Sequence, residues 1–591
     1  MTTTILNIQE SFKPQENEVK IFDSLKANMR VTENQLKKNP IYLSNVNFEN
    51  GTYRIRTPGY YQITEDIFFN PNPSVWNSQT NRLEGPDWFP TSQQTSGGAA
   101  ADYPVAPFGG YHLGFFSALT VETENVIIDL NGFTISQSIP HYLQQRFFSI
   151  IELASTPFIP PQGPSAFGPI KFCKNVKVKN GAFGLTSHSA IHGNNMTNVI
   201  LENLTIFNFE QAGIALNGGE TVILEDINVD NSSHNVFVNA LYSQSRFVKS
   251  FLQTAIENGD PSIVIQGQSK TATNLLEELN TEMDSVYNDV VNNKTEVTSQ
   301  LYRNPKGIID GNIYGIILNV SGVAVNGFVT ETSPSKRNNN VLVQNVSICE
   351  LNSNAKEIVG LFNYDNGEEL QTYGGLDVQL GPVGDVFRIL EVTDENNFYS
   401  GNVLSNAQCY ISKYKSQSGS TRANIEEYIY NTWIASSIAF NPPELKYVLG
   451  GDSMAHVMKG TIGLFLSGSQ NTQLYNIVVQ GIGNVGPLGN VSKSDGTTSP
   501  YIGNFTRGVA IVSSKSVKVL GIDVVNVYSE TGTAHGIEFI NDCDDINISN
   551  YHVENIKSCD YYKSGAYPNS KGLSKPIAGV KNVTNLSLNS L

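Results

Sequence analysis

The sequence predicts an all-β solenoid, and three observations predict it. A short alternating template recurs along the chain, three of its copies start 23 residues apart, and an asparagine returns at the same point within it. The template reads apolar, any, apolar, any, Asn, apolar, any, apolar. Residues 176–180, 199–206 and 222–229 carry it, and it returns at 341–348, 472–479, 517–524 and 546–553; residues 126–135 carry it with one extra residue.

A second piece precedes the template. Short apolar segments open at Ala190, Gly213, Gly463 and Gly508, nine residues before their template, and at Gly536, ten before. Gly315 and Gly360 start further copies. Each turn therefore holds three alternating segments of about three to five residues, and period-two alternation specifies strand. Strands this short bury little alone. Stacked in parallel on their copies, they enclose one continuous core.

The asparagine has a backbone reason. A one-residue bend between two strands needs a left-handed conformation, which Gly and Asn tolerate best. Asn180, Asn203, Asp226, Asn345, Asn476, Gly521 and Asn550 are the expected corner ladder, one per turn, with stacked amides able to hydrogen-bond along it.

With three strands per turn and asparagine at the tight corner, the sequence resembles the right-handed parallel β-helix of the pectate-lyase-like superfamily. Residues 57–66, beginning Thr57-Pro58-Gly59, are similar to the entry strand of such proteins. The resemblance spans roughly residues 52–590 and implies a fold, not an activity. It extends more loosely to tailspikes, bacterial adhesins and β-helix surface decorations on the capsids of large DNA viruses.

The domain organisation follows. Residues 1–51 form an N-terminal arm or cap with helical spacing from Val19 to Met29; 52–235 a first β-helix segment with a long irregular loop at 70–116; 236–313 an insertion read as an antiparallel helix pair. The β-helix continues over 314–363, a mixed α/β insertion occupies 364–460, and 461–591 complete the solenoid. Both insertions border the face made by the first strand of each turn, where β-helix enzymes carry their substrate cleft.

Composition narrows the function. The 591 residues carry 38 Lys+Arg against 54 Asp+Glu, a formal net charge of −16. That balance, with no basic run, argues against nucleic acid as partner. No apolar run is long enough for a transmembrane helix, and the first residues lack a secretory pattern. Five scattered cysteines, none in a Cys-x-x-Cys pair, read as reduced and structural. No motif calls for a metal or another cofactor.

The expected outward residues of the first strand are Leu119, His192, Ala215, Ile317, Phe362, Phe465, Ala510 and Glu538. This row is mostly apolar, with Phe362, Phe465 and Ile317 as its interaction face. An acidic-sugar enzyme would need converging carboxylates or basic groups there. The catalytic candidates are Asp542, Asp544, Asp545 and His535, which resemble the Asp-Asp and Gly-His-Gly elements of polygalacturonase-like hydrolases. Their order along the chain is reversed, and the Arg-x-Lys element of that family is absent. Asp545 also occupies the polar site just before a strand, where Asn198, Asn340 and Asn471 stand in other turns. Asp230 with His234 makes a second carboxylate–imidazole pair on a loop. Trp76, Trp88 and Tyr111 are loop aromatics suited to stacking on sugars.

The expectation is a non-catalytic structural or adhesive protein of a virion or particle surface. Its partners would be capsid proteins, copies of itself (a trimer along the apolar face) or glycans. The alternative is a polysaccharide hydrolase or lyase acting on acidic glycans.

Overall fold

The computed structural model describes residues 16–80, 82–84, 115–144, 148–156, 170–232, 242, 256, 259–260, 262–265, 268–293, 313–321, 336–354, 372–373, 376–377, 461–485, 490–492, 498–500, 506–529, 533–558 and 574–590. Within these the protein is mostly β, and two long parallel sheets dominate it. The architecture is compatible with a β-solenoid. One sheet runs from strand Ile41–Leu43 to strand Val583–Ser590, the other from Tyr53–Ile55 to Ser574–Ala578.

The chain alternates between the sheets. Ser189–Asn194 belongs to the second, Thr197–Phe207 to the first, Ala212–Asn217 to the second and Glu220–Asp230 to the first. Each residue consequently lies against its own copy. In the first sheet Val176 pairs with Val199, Val199 with Val222, Val222 with Val341 and Val341 with Thr472. The core is the set of inward rows this register builds. Val178, Leu201, Leu224, Val343 and Leu474 are fully buried in one of them, and Ile191, Ile214, Ile316 and Leu464 in another.

The long strands are bent, and the bends carry left-handed residues. Asn180, Asn203, Asp226, Asn345, Asn476 and Asn550 have φ between 50° and 59°, and Gly521 has φ 78°. Amides stack along part of this corner: Asn203 Nδ2 donates to Asn180 Oδ1 at 3.0 Å, Asn345 Nδ2 to Asp226 Oδ1 at 3.0 Å, and Asn476 Nδ2 to Asn345 Oδ1 at 3.0 Å. Gly521 has no side chain to continue the stack, and the buried Asn476 Oδ1 finds no hydrogen-bond partner.

A second left-handed ladder stands at the start of the same strands. Asn125, Asn175, Asn198, Asn340, Asn471 and Asp545 all have φ between 49° and 59°. Asn175 Nδ2 donates to Asn125 Oδ1 at 3.0 Å and Asn198 Nδ2 to Asn175 Oδ1 at 2.8 Å. The polar site read before each strand is thus also a backbone bend.

The N-terminal arm is a helix, Glu16–Leu36, which is amphipathic as its spacing predicts. Its described part lies along the first sheet: Val19, Phe22, Leu25 and Met29 pack on outward residues of the strands there, Tyr60, Ile127, Ile200, Ile223, Leu342 and Tyr475. Ion pairs fix its register. Lys26 meets Glu225 at 2.7 Å, while Glu33 meets Lys177 at 3.1 Å and Lys179 at 2.5 Å.

In the first insertion, helix Ala272–Tyr287 forms with Thr271 as its N-cap, accepting from the Asn274 amide. The expected companion at 246–256 lies outside the described residues, apart from Ile256, as does nearly all of 364–460. Hairpin Val75–Asn77/Arg82–Glu84 of the long loop leans on that helix, with Trp76 stacked on Tyr287 at 5.7 Å. Trp88 and Tyr111 lie outside the described residues.

Alanine at position 203 must hold a Cβ in the left-handed region, at a cost of about 1–2 kcal/mol. Asn203→Ala should therefore lower the chemical-denaturation midpoint clearly more than Asn203→Gly, which keeps the backbone and loses only the exposed amide bond. Burial raises the Glu33 pKa, but the hydrogen bonds and charges of Lys179 and Lys177 outweigh it and hold the carboxyl below its ordinary 4.5. A depressed carboxylate contributes stability above its unfolded pKa and loses it as pH falls through the folded one. Amide-exchange protection of residues 19–36 should thus drop below pH 4.5, and Glu33→Gln should remove that step.

Candidate functional site

The outward row of the second sheet is the candidate functional face. The register makes it Thr120, Glu152, His192, Ala215, Ile317, Phe465, Ala510 and Glu538. One expectation is corrected here. Leu119 does not face outward: it pairs with Ile151 in the inward row and is fully buried, and Thr120 takes its place. Strand Ser117–Val121 is buried along its whole length, so no alternation marks its faces. The register passes directly from Ile317 to Phe465, and Phe362 lies outside the described residues. Both insertions accordingly precede a strand of this sheet, Ile313–Asn319 in one case and Thr461–Ser467 in the other.

The middle of the face is apolar. Ala215 and Ala510 are buried and Ile317 and Phe465 half-buried, with Tyr314 against the Phe465 ring at 5.4 Å. Charged groups stand on either side of it, each engaged with the other.

Toward the N-terminal side, Glu152 is wholly buried and lies 2.6 Å from His192 Nδ1. Asn217 Nδ2 approaches His192 Nε2 at 3.3 Å and donates to Asn194 Oδ1 at 2.9 Å. An amide nitrogen only donates, so Nε2 accepts and the ring proton sits on Nδ1, directed at Glu152. Burial pushes the Glu152 carboxyl up to about 7, with His192 opposing it. One Glu152 oxygen, Oε1, has no hydrogen-bond partner. Burial and the Glu152 charge together push the buried Cys173 thiol up, so it is a poor nucleophile.

Toward the C-terminal side, Arg507 is hydrogen-bonded to Glu538, and His535 Nδ1 lies 3.1 Å from the same carboxylate. Burial raises Glu538, but His535 and Arg507 outweigh it and hold it below the ordinary carboxylate value. At the opposite, N-terminal end of this sheet, Arg54 grips Glu122 through two nitrogens at 2.5 and 2.9 Å.

The candidate carboxylates do not join this face. His535 lies in strand Ala534–Ile540 of the second sheet, whereas Asp544 and Asp545 lie in strand Cys543–Ser558 of the first. Asp545 occupies a left-handed corner with φ 54° and accepts from Ser516 Oγ at 3.0 Å. Asp544 meets Lys515 at 3.3 Å and accepts from Asn585 at 3.1 Å. Asp542 is exposed in the bend before them. Asp230 accepts from the Ser232 amide at 2.9 Å, and His234 lies outside the described residues.

The Glu152–His192 pair was not legible beforehand, because 40 residues separate its members and the interval breaks the 23-residue period. Among the described residues no cluster of three or more His, Cys, Asp or Glu is arranged to hold a metal ion, and no helix is long and apolar enough to cross a membrane. Cys173, Cys349 and Cys543 are free thiols. No protein-family model matches the chain, and no curated protein matches it in sequence.

A carboxyl raised on folding contributes stability below its unfolded pKa and loses it as pH rises through the folded value. The denaturation midpoint of the wild type should therefore fall as pH climbs from 4.5 through about 7. Glu152→Gln, which keeps an acceptor for His192, should flatten that fall when the two midpoints are compared across the same range.

Proposed function

We propose that the chain is a right-handed parallel β-helix with three strands per turn, of the pectate-lyase-like kind, serving as a non-catalytic structural or adhesive shaft. It presents loops and insertions to protein partners, capsid proteins or copies of itself, or to glycans, at the surface of a virion or particle. One observation carries this reading. On the face where a β-helix enzyme would gather free carboxylates, the centre is apolar and the flanking carboxyls are engaged in fixed pairs, Glu152 with His192 and Glu538 with Arg507. Hydrolysis needs a protonated acid opposite a second carboxylate, both open to substrate; Glu538, held by an arginine and a histidine, is a weak proton donor, and Glu152, raised by burial, is wholly buried. Asp544 and Asp545, the other candidates, are engaged at a strand corner.

The alternative, a polysaccharide hydrolase or lyase, draws on a single feature, the grouping of His535, Glu538 and Arg507 on that same face. Incubation with acidic polysaccharides separates the two readings, with reducing ends and unsaturated uronate absorbance both followed. The expected result is no turnover above buffer for the wild type. Turnover that disappears in Glu538→Gln or Asp545→Ala would overturn the structural reading.

A further inference from the structure

Two pairs of neighbouring strands in the first sheet are joined by very long connections. Corner residues Asn180 and Asn203 touch while 23 positions apart, but Asp226 and Asn345 touch across 119 positions and Asn345 and Asn476 across 131. Closing a longer loop costs more chain entropy, and stacked repeats are held chiefly by contacts between nearest layers. Two junctions are therefore the ones least tied by the chain itself. They are Glu220–Asp230 on Asn339–Cys349, and Asn339–Cys349 on Gln470–Val485.

Helix Glu16–Leu36 lies over both. Its ion pairs give its direction: Glu33 meets Lys177 and Lys179 of strand Lys174–Phe183, and Lys26 meets Glu225 two strands further on. Seven residues of helix rise about 10 Å, and two strand spacings also make about 10 Å. Helix and stack thus advance in step, and the helix runs from later layers to earlier ones. Lys37 marks its early end, with Nζ above the Tyr60 ring at 5.5 Å. In the other direction, seven more residues lead from Lys26 back to Val19, about two more strand spacings. Those two steps reach Asn339–Cys349 and then Gln470–Val485. The buried side chains agree. Ile223, Leu342 and Tyr475, one from each of the three strands at the junctions, share a cluster with Val19, Phe22, Leu25 and Met29 and are at most 2% exposed. Leu520, in the strand after, packs against the same cluster.

We propose that this helix is a latch across the two junctions, tying the strands that follow them to those that precede. Its C-terminal half is anchored by charge before the first junction, and its N-terminal half by apolar side chains beyond it. The latch closes fully only once Gln470–Val485 is in place, because that strand carries the Tyr475 seat. This goes beyond the reading of the chain as a shaft and holds whether or not the chain is catalytic.

Hydrogen–deuterium exchange on the full chain tests it, with Phe22→Ala removing an anchor from the N-terminal half. Glu33 and Lys26 keep their partners in this variant. Protection in strands Thr461–Ser467, Gln470–Val485, Thr506–Val512 and Lys515–Ser529 should fall about tenfold or more. Strands Thr197–Phe207 and Glu220–Asp230 should keep theirs. Thr461–Ser467 and Thr506–Val512 belong to the second sheet, whereas the cluster under the helix draws only on the first. A merely local cover would therefore leave these two strands unchanged. Phe22→Leu should restore protection, and Ile21→Ala, on the exposed side of the same turn, should alter no strand. Loss confined to residues 16–36 and the first-sheet strands beneath them, an equal loss in every strand, or an equal effect of Ile21→Ala would overturn the proposal.

Discussion

Everything in this molecule depends on the chain turning sharply at the same places in each successive strand. Parallel strands that pair with their own copies must enter and leave each layer in phase, because a shift of one residue would send every inward side chain outward. The bends meet that demand with a left-handed residue, and L-residues with a Cβ resist this conformation. Asparagine is the compromise used at most of them. Its side chain reaches the copy beside it, so each corner residue both accepts the backbone penalty and ties neighbouring layers together. Where the residue changes, the tie changes with it. Asp226 can only accept, and it accepts from Asn345. Gly521 relaxes the backbone, but it leaves the Asn476 carbonyl without a partner.

The fold was legible in the sequence to the extent that this phase is written in alternating side chains. Corner residues and inward rows share a fixed offset, so the template located them across most of the chain. It failed where alternation is missing. Strand Ser117–Val121 is buried on both sides, so its sequence does not tell which side Leu119 takes. The template also holds a second signal: Val199-Ile200-Leu201 and Val222-Ile223-Leu224 are apolar at three consecutive positions, and Ile200 and Ile223 point outward. An outward apolar residue repeated layer after layer means that something covers that sheet. The amphipathic helix Glu16–Leu36 was visible in its spacing; the two observations belong together.

The functional face was less legible because its chemistry arises from pairs distant in sequence. Glu152 and His192 meet only because strand Ser149–Glu152 lies beside Ser189–Asn194, across an interval that breaks the period. His535 invited a partner among the aspartates that follow it, yet those lie in the other sheet, and its neighbour is Glu538 of its own strand. Proximity along the chain is a poor guide in a stack of strands, since the next few residues turn a corner onto another face. The register is the better guide, and it gathers residues from neighbouring layers.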